Sequence, residues 1–466
     1  MISNYKNIIK ITLFSFLIIL FHACQKDNPI QVVPVKDCWE IDNWEGLLSD
    51  SLLITKEEPS IPNVDTLFIN WLNDKNNRID IRSLTSENFE DLKCLKQYLT
   101  GRSLVQLGES SHGTKEYNLI KTRLIKFLHE EMGFDVIAFE SGFFECFYTY
   151  ENINEYSAEQ AINFSIFDEW WTEEVLELFE YIKQTQSTQH PLILSGFDCQ
   201  MSGYNPHKRS DELFEMLSKI DSIFAEEAFT FDNYILTYRI NNTNYLSYHE
   251  ESIMTQYLEI ISFFDQHIDQ LISYYPKKKY YPVFIKQSIY STIAGIKQKI
   301  AIANNNWGEG FYIRDSAMAA NVSFLKEELF PDKKIITWAH NYHIEHNIDD
   351  LIHTTNMGNW LIEKYRDDLY TIGLYMLRGK TTSGKNMEII DVELPTTSNS
   401  LEAILYHVRN KYLFIDVLNH PKNDGNRWMY NTISTKISGY SEEEMIIKNE
   451  YDGIIFIDTS SVPDYL

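Results

Sequence analysis

Leu107-Gly108-Glu109-Ser110-Ser111-His112-Gly113 is the stretch on which the reading of this chain turns. It follows an apolar run, Ser103 to Leu107, and precedes Tyr117, Ile120, Leu124, Phe127 and Leu128, which fall on one helical stripe. A buried strand that passes through a short polar loop into an amphipathic helix is a unit of an α/β sheet. Acidic and imidazole side chains at the carboxyl ends of strands stand where open α/β sheets place their chemistry.

Six further apolar runs read as buried strands: Val136–Phe139, Leu192–Leu194, Ile335–Trp338, Leu369–Tyr375, Tyr412–Val417 and Gly453–Ile457. Helical patterns separate several of them, such as the stripe Val175, Leu178, Phe179 and Ile182. Strands that alternate with helices pair in parallel. Between about Asn205 and Asn306 the strand signal stops, and Ile285, Ile289, Ile293, Ile296 and Ile300 mark one helical face. The expected fold is α/β, a central, mostly parallel sheet flanked by helices, with a helical insertion or cap at about 205–306. The expected domain is 79–466.

The 466 residues are 44% hydrophobic and 14% aromatic, enough for a large core. A net charge of −26 argues against a nucleic-acid partner, which calls for clustered Lys and Arg. At the start, Lys6 and Lys10 precede an apolar run, Ile11 to Phe21, then His22-Ala23-Cys24. This reads as a bacterial lipoprotein signal over 1–23, with lipid attached at Cys24. The alternative, a single membrane anchor, needs an apolar run of ~20 residues, longer than this one. Residues 24–78 read as a tether and lead-in, and the protein as exported and lipid-anchored to the cell envelope. Cys38, Cys94, Cys146 and Cys199 show no C-x-x-C or zinc-finger spacing. Cys94 and Cys146 lie in helical patterns and read as buried thiols.

Polar residues end the strands. Glu109 closes the first, with His112 three residues on; Glu140 closes the second, Asp198 the third and His340 the fourth, followed by Asn341 and His343. If the strands are parallel and adjacent, these side chains share one rim. A carboxylate beside an imidazole raises its basicity and fixes its tautomer. Such a pair can deprotonate water, while a second imidazole stabilises an oxyanion. These parts suit attack of water on a carbonyl without a protein nucleophile. Each residue also has a structural reading. Glu109 could cap the following helix, His112 could be a hydrogen-bonded structural imidazole, Glu140 could pair with a core Arg, and Asp198 could stabilise a loop.

Taken together, Gly108-Glu109-x-x-His112-Gly113, Glu140, Gly196-Phe197-Asp198, Trp338-Ala339-His340-Asn341-x-His343, Arg314-Asp315-Ser316-Ala317-Met318-Ala319-Ala320-Asn321 and Tyr451-Asp452-Gly453-Ile454-Ile455-Phe456-Ile457-Asp458 resemble the erythromycin esterase family. The resemblance runs from about Ile79 to Ile457. It implies hydrolysis of a carboxylic ester or macrolide lactone, possible involvement in antibiotic resistance, and a fold distinct from the nucleophile-elbow esterases. It implies His112 as general base, Glu109 and Glu140 as an acidic pair, and His340 and His343 as paired histidines that hold the carbonyl or oxyanion. Lys121 stands where resistance enzymes of the family usually carry Arg, which keeps the charge but loses the bidentate fork. Lys121, Asp198, Asn341 and Arg314 are the expected substrate-binding residues. The expected partner is a small-molecule ester or lactone, together with the membrane through the lipid, and no cofactor is expected.

Rival readings remain at this stage. His340, His343 and His346 fall at i, i+3, i+6 and could hold zinc with a carboxylate, giving a metal-dependent hydrolase; His346 could equally be solvated. The aromatic content, including Trp170-Trp171, would also suit a lipid-anchored surface module that binds a ligand or glycan. Gly379-Lys380-Thr381-Thr382-Ser383-Gly384-Lys385-Asn386 nearly spells a phosphate loop, but Asn386 replaces the required Ser or Thr and Met387–Val392 reads as strand, so it is expected to be a turn. Ser110 and Ser111 lack a G-x-S-x-G context and read as helix caps.

Overall fold

Among the described residues eleven strands form: β1 (Ile79–Asp80), β2 (Leu104–Leu107), β3 (Val136–Gly142), β4 (Ile193–Asp198), β5 (Ile335–Trp338), β6 (Leu369–Thr382), β7 (Ile389–Val392), β8 (Tyr412–Asp416), β9 (Ile433–Ile437), β10 (Ser441–Met445) and β11 (Gly453–Ser460). The computed structural model describes residues 60–346, 355–384 and 386–466. The expected signal segment, Cys24 and Cys38 lie outside these residues. All seven apolar runs are strands. They read as unbroken apolar runs because each is covered on both faces.

The sheet order is β1-β8-β11-β6-β2-β5-β3-β4, with β7 folded back on β6. From β11 to β4 every neighbouring pair is parallel. Among the described residues of this sheet, β8, β1 and β7 alone run antiparallel to a partner, and β9 and β10 form a separate antiparallel pair. The expected central, mostly parallel sheet flanked by helices is thus present. After β2 the chain runs through the helix Lys115–Met132 into β3 and leaves a slot between them. That slot is filled more than 190 residues later, by β5. The carboxyl ends of β2, β5, β3 and β4 therefore lie side by side where the strand order doubles back, the place such sheets leave a crevice.

Helices Lys208–Leu217, Ser222–Tyr234, Thr243–Tyr274, Tyr281–Ala303 and Trp307–Phe324 occupy the stretch between β4 and β5. Ile285, Ile289, Ile296 and Ile300 are buried on one face of Tyr281–Ala303. The last helix, Trp307–Phe324, packs on β4 and carries Arg314 and Asp315 to its end. Among the described residues no helix is long and apolar enough to cross a membrane. Upstream of β1, the helix Thr66–Asn73 buries Leu72 completely in the core.

Two local features set the rim. Between Phe139 and Gly142 β3 gains one residue relative to β4, a bulge at Glu140–Ser141. Bulges bend a strand and re-aim its side chains. Gly196 lets β4 pass this bulge, since a Cβ there would collide with the carbonyl oxygens of Ser141 and Gly142. The second feature is the length of β6, which continues seven residues beyond Tyr375 and turns into β7. The near-phosphate-loop sequence is thus a hairpin. Its Thr382 exchanges backbone hydrogen bonds with Gly113 (3.0 and 3.1 Å), clamping the loop just after His112. A Cβ on Gly113 would overlap the Thr382 carbonyl oxygen.

Candidate active site

The loop after β2 delivers Glu109 and His112. Glu109 is fully buried, and its two oxygens are fully used. Oε1 bonds Nδ1 of His112 at 2.7 Å and accepts the Trp170 indole N–H at 3.0 Å. Oε2 accepts from Nζ of Lys121 at 2.6 Å. Lys121, also fully buried, donates further to the Ala339 carbonyl (3.3 Å) and lies over the Trp338 ring. Burial pushes its ammonium down to about 8 against the pull of Glu109. Lys121, expected to bind substrate, is thus sealed in the core with its ammonium on Glu109.

The His112 side chain keeps 27% of its exposure. Among the described residues nothing bonds its Nε2. Burial works against its charge, yet the hydrogen bond and charge of Glu109, with Glu140 and Glu169 beyond, outweigh it and hold the imidazole above its usual value. The Trp170 ring meets it edge-on with centroids 5.0 Å apart.

A second cluster forms where β3, β4 and β5 end. Arg314 reaches Asp198 through Nε (3.1 Å) and a terminal nitrogen (2.5 Å), and the same terminal nitrogen reaches Glu140 (2.8 Å). Glu140 also accepts the His340 backbone N–H (2.8 Å) and lies 3.2 Å from Nε2 of His343. Nδ1 of His343 bonds Asp315 at 2.7 Å. Burial opposes the charge of Glu140, but His343, Arg314 and His112 hold its carboxyl well below the usual carboxylate range. Burial likewise opposes protonation of His343, but Asp315 and Glu140 raise it to about 10. Asp315 and Glu140 thus favour the imidazolium form of His343, while the Arg314 guanidinium, 3.2 Å from its Nε2, opposes it.

His340 sits 5.1 Å from His112, ring to ring. Its Nδ1 accepts the Tyr342 N–H and its Nε2–H donates to the Ser110 carbonyl, both at 3.2 Å. Burial and the neighbouring His112 push it down to about 3. It is a neutral ring with its tautomer fixed by backbone. His340 and His343, expected to hold a substrate carbonyl, have every ring nitrogen in contact with a protein group. Asn341, also expected to bind substrate, is likewise held by backbone groups. Its amide exchanges hydrogen bonds with the Leu374 backbone (3.1 and 3.2 Å), and its backbone N–H donates to the Glu109 carbonyl. Asp198 is buried against Arg314, whose own side chain is 13% exposed.

The serines do not cap the helix. Ser110 bonds the Tyr117 hydroxyl and Ser111 that of Thr381, each at 2.8 Å. His346 is not solvated but buried against Thr371, and burial pushes it down to about 3. Among the described residues no group of three or more His, Cys, Asp or Glu side chains is arranged to hold a metal. Cys146 and Cys199 are buried free thiols, and Cys94, expected to be buried, is partly exposed. The sequence reading missed Trp170 and Asp315 as parts of the site. Both stood in quoted motifs, but 61 and 28 residues separate them from the partners they touch.

Fold and rim together define an α/β protein with a histidine–glutamate pair and a buried arginine–carboxylate–histidine cluster at the carboxyl edge of its sheet. The erythromycin esterase family model matches residues 129–460. The chain is 34% identical over 396 residues to the putative hydrolase YbfO of Bacillus subtilis, covering 79% of this chain and 86% of the relative. It is 22% identical over 422 residues to erythromycin esterase type II of Escherichia coli, covering 85% and 99%. A crystal structure of a Bacillus cereus protein superposes with a TM-score of 0.74 at 19% identity, covering 87% of this chain and 100% of that one. A mutant of the erythromycin esterase EreC in its open conformation gives 0.62 at 17% identity, covering 83% and 98%. The chain belongs to the erythromycin esterase family. Membership points to a hydrolase with a small-molecule substrate. Glu109, His112 and Lys121 lie ahead of the stretch that the family model matches.

Proposed function

We propose that this chain hydrolyses a carboxylic ester or lactone with a water molecule that His112 deprotonates. One observation carries the reading: a part-exposed imidazole whose Nδ1 is tied to a buried carboxylate and whose Nε2 has no partner among the described residues. Glu109 orients that ring and favours its protonated form, which lowers the barrier for taking a proton from water. Lys121 and Trp170 hold Glu109 in place. Arg314 is the cation closest to solvent in the second cluster, and in this reading it faces the carbonyl oxygen as negative charge develops there. Asp315 and His343 keep Glu140 ionised beneath it, and Glu140 in turn fixes Arg314. No protein nucleophile and no metal take part.

Two relatives carry the name erythromycin esterase. A macrolide lactone is therefore the first substrate to test, and macrolide resistance the cellular consequence to look for. The N-terminal pattern supports export and lipidation at Cys24, which intact-mass analysis of membrane-extracted protein would detect.

The experiment is mass-spectrometric detection of water addition across macrolides and simpler esters, with wild type and His112→Ala, before and after chelation. Wild type adds water to at least one substrate and keeps its rate after chelation. His112→Ala loses ~10²–10⁴ in turnover while staying folded. Tight ligand binding without turnover by wild type overturns the reading in favour of a binding module. Chelator-sensitive turnover with stoichiometric zinc overturns the metal-free mechanism.

A further inference from the structure

Glu169 acts electrostatically on His112 and has no part in the mechanism above. It belongs to the short 3-10 turn Asp168–Trp170, so its neighbour in sequence is the tryptophan that holds Glu109 and packs on His112. Its side-chain stem rests against Gly384 at the tip of the β6–β7 hairpin, where an added Cβ would come within 3.1 Å of the Glu169 Cγ. The same hairpin clamps Gly113, the residue after His112. Both segments thus pack on the same hairpin, and Glu169 and His112 each shift the other's proton affinity.

The Glu169 side chain is half-buried, and its Oε2 is buried with no hydrogen-bond partner among the described residues. A buried carboxylate oxygen without a donor favours the neutral acid, because protonation relieves the desolvation cost. Burial indeed raises its pKa, and Asp168 and Glu140 add to the rise, while its own backbone N–H and His112 oppose it. Nearby, the Tyr465 hydroxyl is also buried without a partner among the described residues, and Glu169 is the charge that acts on it most strongly. Glu140, by contrast, is held firmly ionised. Two carboxyl groups at one site with proton affinities pushed apart mark different acid–base roles.

We propose that Glu169 is a catalytic residue, the acid that protonates the departing alcohol oxygen; this rests on the hydrolytic reading given above. His112 takes one proton from water through Nε2, and the water oxygen bonds to the carbonyl carbon as the carbonyl π pair moves to oxygen. On collapse that pair re-forms the carbonyl. The bond from carbon to the alcohol oxygen breaks with its electron pair going to that oxygen, which receives the Glu169 proton. Proton release from His112, directly or through solvent, restores the neutral acid at Glu169. The net change is ester plus water to carboxylic acid plus alcohol. One histidine then need not both take the proton from water and deliver it to the leaving group.

The test compares aryl and alkyl esters of one carboxylic acid, because a phenolate leaves without protonation and an alkoxide does not. For Glu169→Gln, the fall in kcat/KM on the alkyl ester should exceed that on the aryl ester by ~10²-fold or more, the usual worth of a general acid. Glu169→Asp should recover part of the alkyl-ester rate, and the alkaline limb of the alkyl-ester kcat profile should vanish in Glu169→Gln. An equal loss on both esters, or no loss on the alkyl ester, overturns the role of Glu169 and leaves the hydrolytic reading standing. Wild type that cleaves neither ester nor any lactone overturns both.

Discussion

Replacing Lys121 with Met removes a positive charge that never meets solvent and leaves the cleft-facing side of the site intact. Two effects follow, and both can be sized. Glu109 and Lys121 are fully buried and 2.6 Å apart, so Lys121→Met strands a carboxylate in the core. Breaking a buried pair in this way costs about 3–5 kcal/mol. For roughly 400 ordered residues the unfolding entropy is ~0.8 kcal/mol/K, so the melting temperature should fall by about 4–6 °C. The second effect acts on the base. Nζ lies 2.6 Å from one Glu109 oxygen and Nδ1 of His112 lies 2.7 Å from the other. With one carboxylate between them, the two cationic centres are at most ~8 Å apart. At an effective dielectric constant of about 20 their repulsion is about 2 kcal/mol, or about 1.5 pH units.

The sign is fixed. The lysine charge disfavours protonated His112, so its removal raises the pKa of that ring. The neutral base then becomes available only at higher pH, and the acid limb of kcat/KM moves up by about 1–1.5 units. Lys121→Arg keeps the charge and adds a second donor, so its limb should stay near that of wild type. The assay is the pH profile of kcat/KM on a soluble ester, with thermal melts of all three proteins. A Lys121→Met profile that does not move, or moves to lower pH, refutes the assignment of Glu109 as the group joining lysine to base.

Trp170→Phe removes one of the three hydrogen bonds on Glu109 while keeping the ring against His112. Turnover should fall roughly 5- to 10-fold, from about 1–1.4 kcal/mol of lost orientation, with little change in KM; an unchanged kcat in steady-state kinetics counts against it. Gly113→Ala forces a Cβ into the Thr382 carbonyl oxygen and should push the hairpin away from the His112 loop. Activity should drop by ~10²-fold or more with a lowered melting temperature, and an active, equally stable variant would show that the hairpin does not position the base.

Much of this fold was legible because parallel strands covered on both faces become apolar runs, and apolar runs are what a sequence displays. The strands that escaped lack that signal. β1 has two residues, and β10 reads Ser-Glu-Glu-Glu-Met in a two-stranded hairpin with β9, turned by Ser438 and Gly439 at positive φ. The rim was legible for the same reason, since a polar residue that closes an apolar run stands at a strand end. Contacts were not legible. The helix Lys115–Met132 buries Lys121, Arg123 and Lys126 along with its apolar stripe. A lysine in an amphipathic pattern reads as solvent- or substrate-facing, whereas here it is sealed against Glu109 by the Trp338 ring.

Protonation state lay furthest out of reach. Three histidines at strand ends are one residue type in one kind of place, yet the structure gives them three different chemistries. His343, between Asp315 and Glu140, is raised to about 10, which favours its charged form. His340, tied to two backbone groups, is pushed down to about 3 and stays neutral. Of the three, only His112 pairs a single carboxylate with an exposed edge, and that carboxylate holds its imidazole above the usual value against burial. The proposed base is therefore singled out by having, among the described residues, no second partner on its outer nitrogen, a property of how distant segments pack that no local spacing encodes.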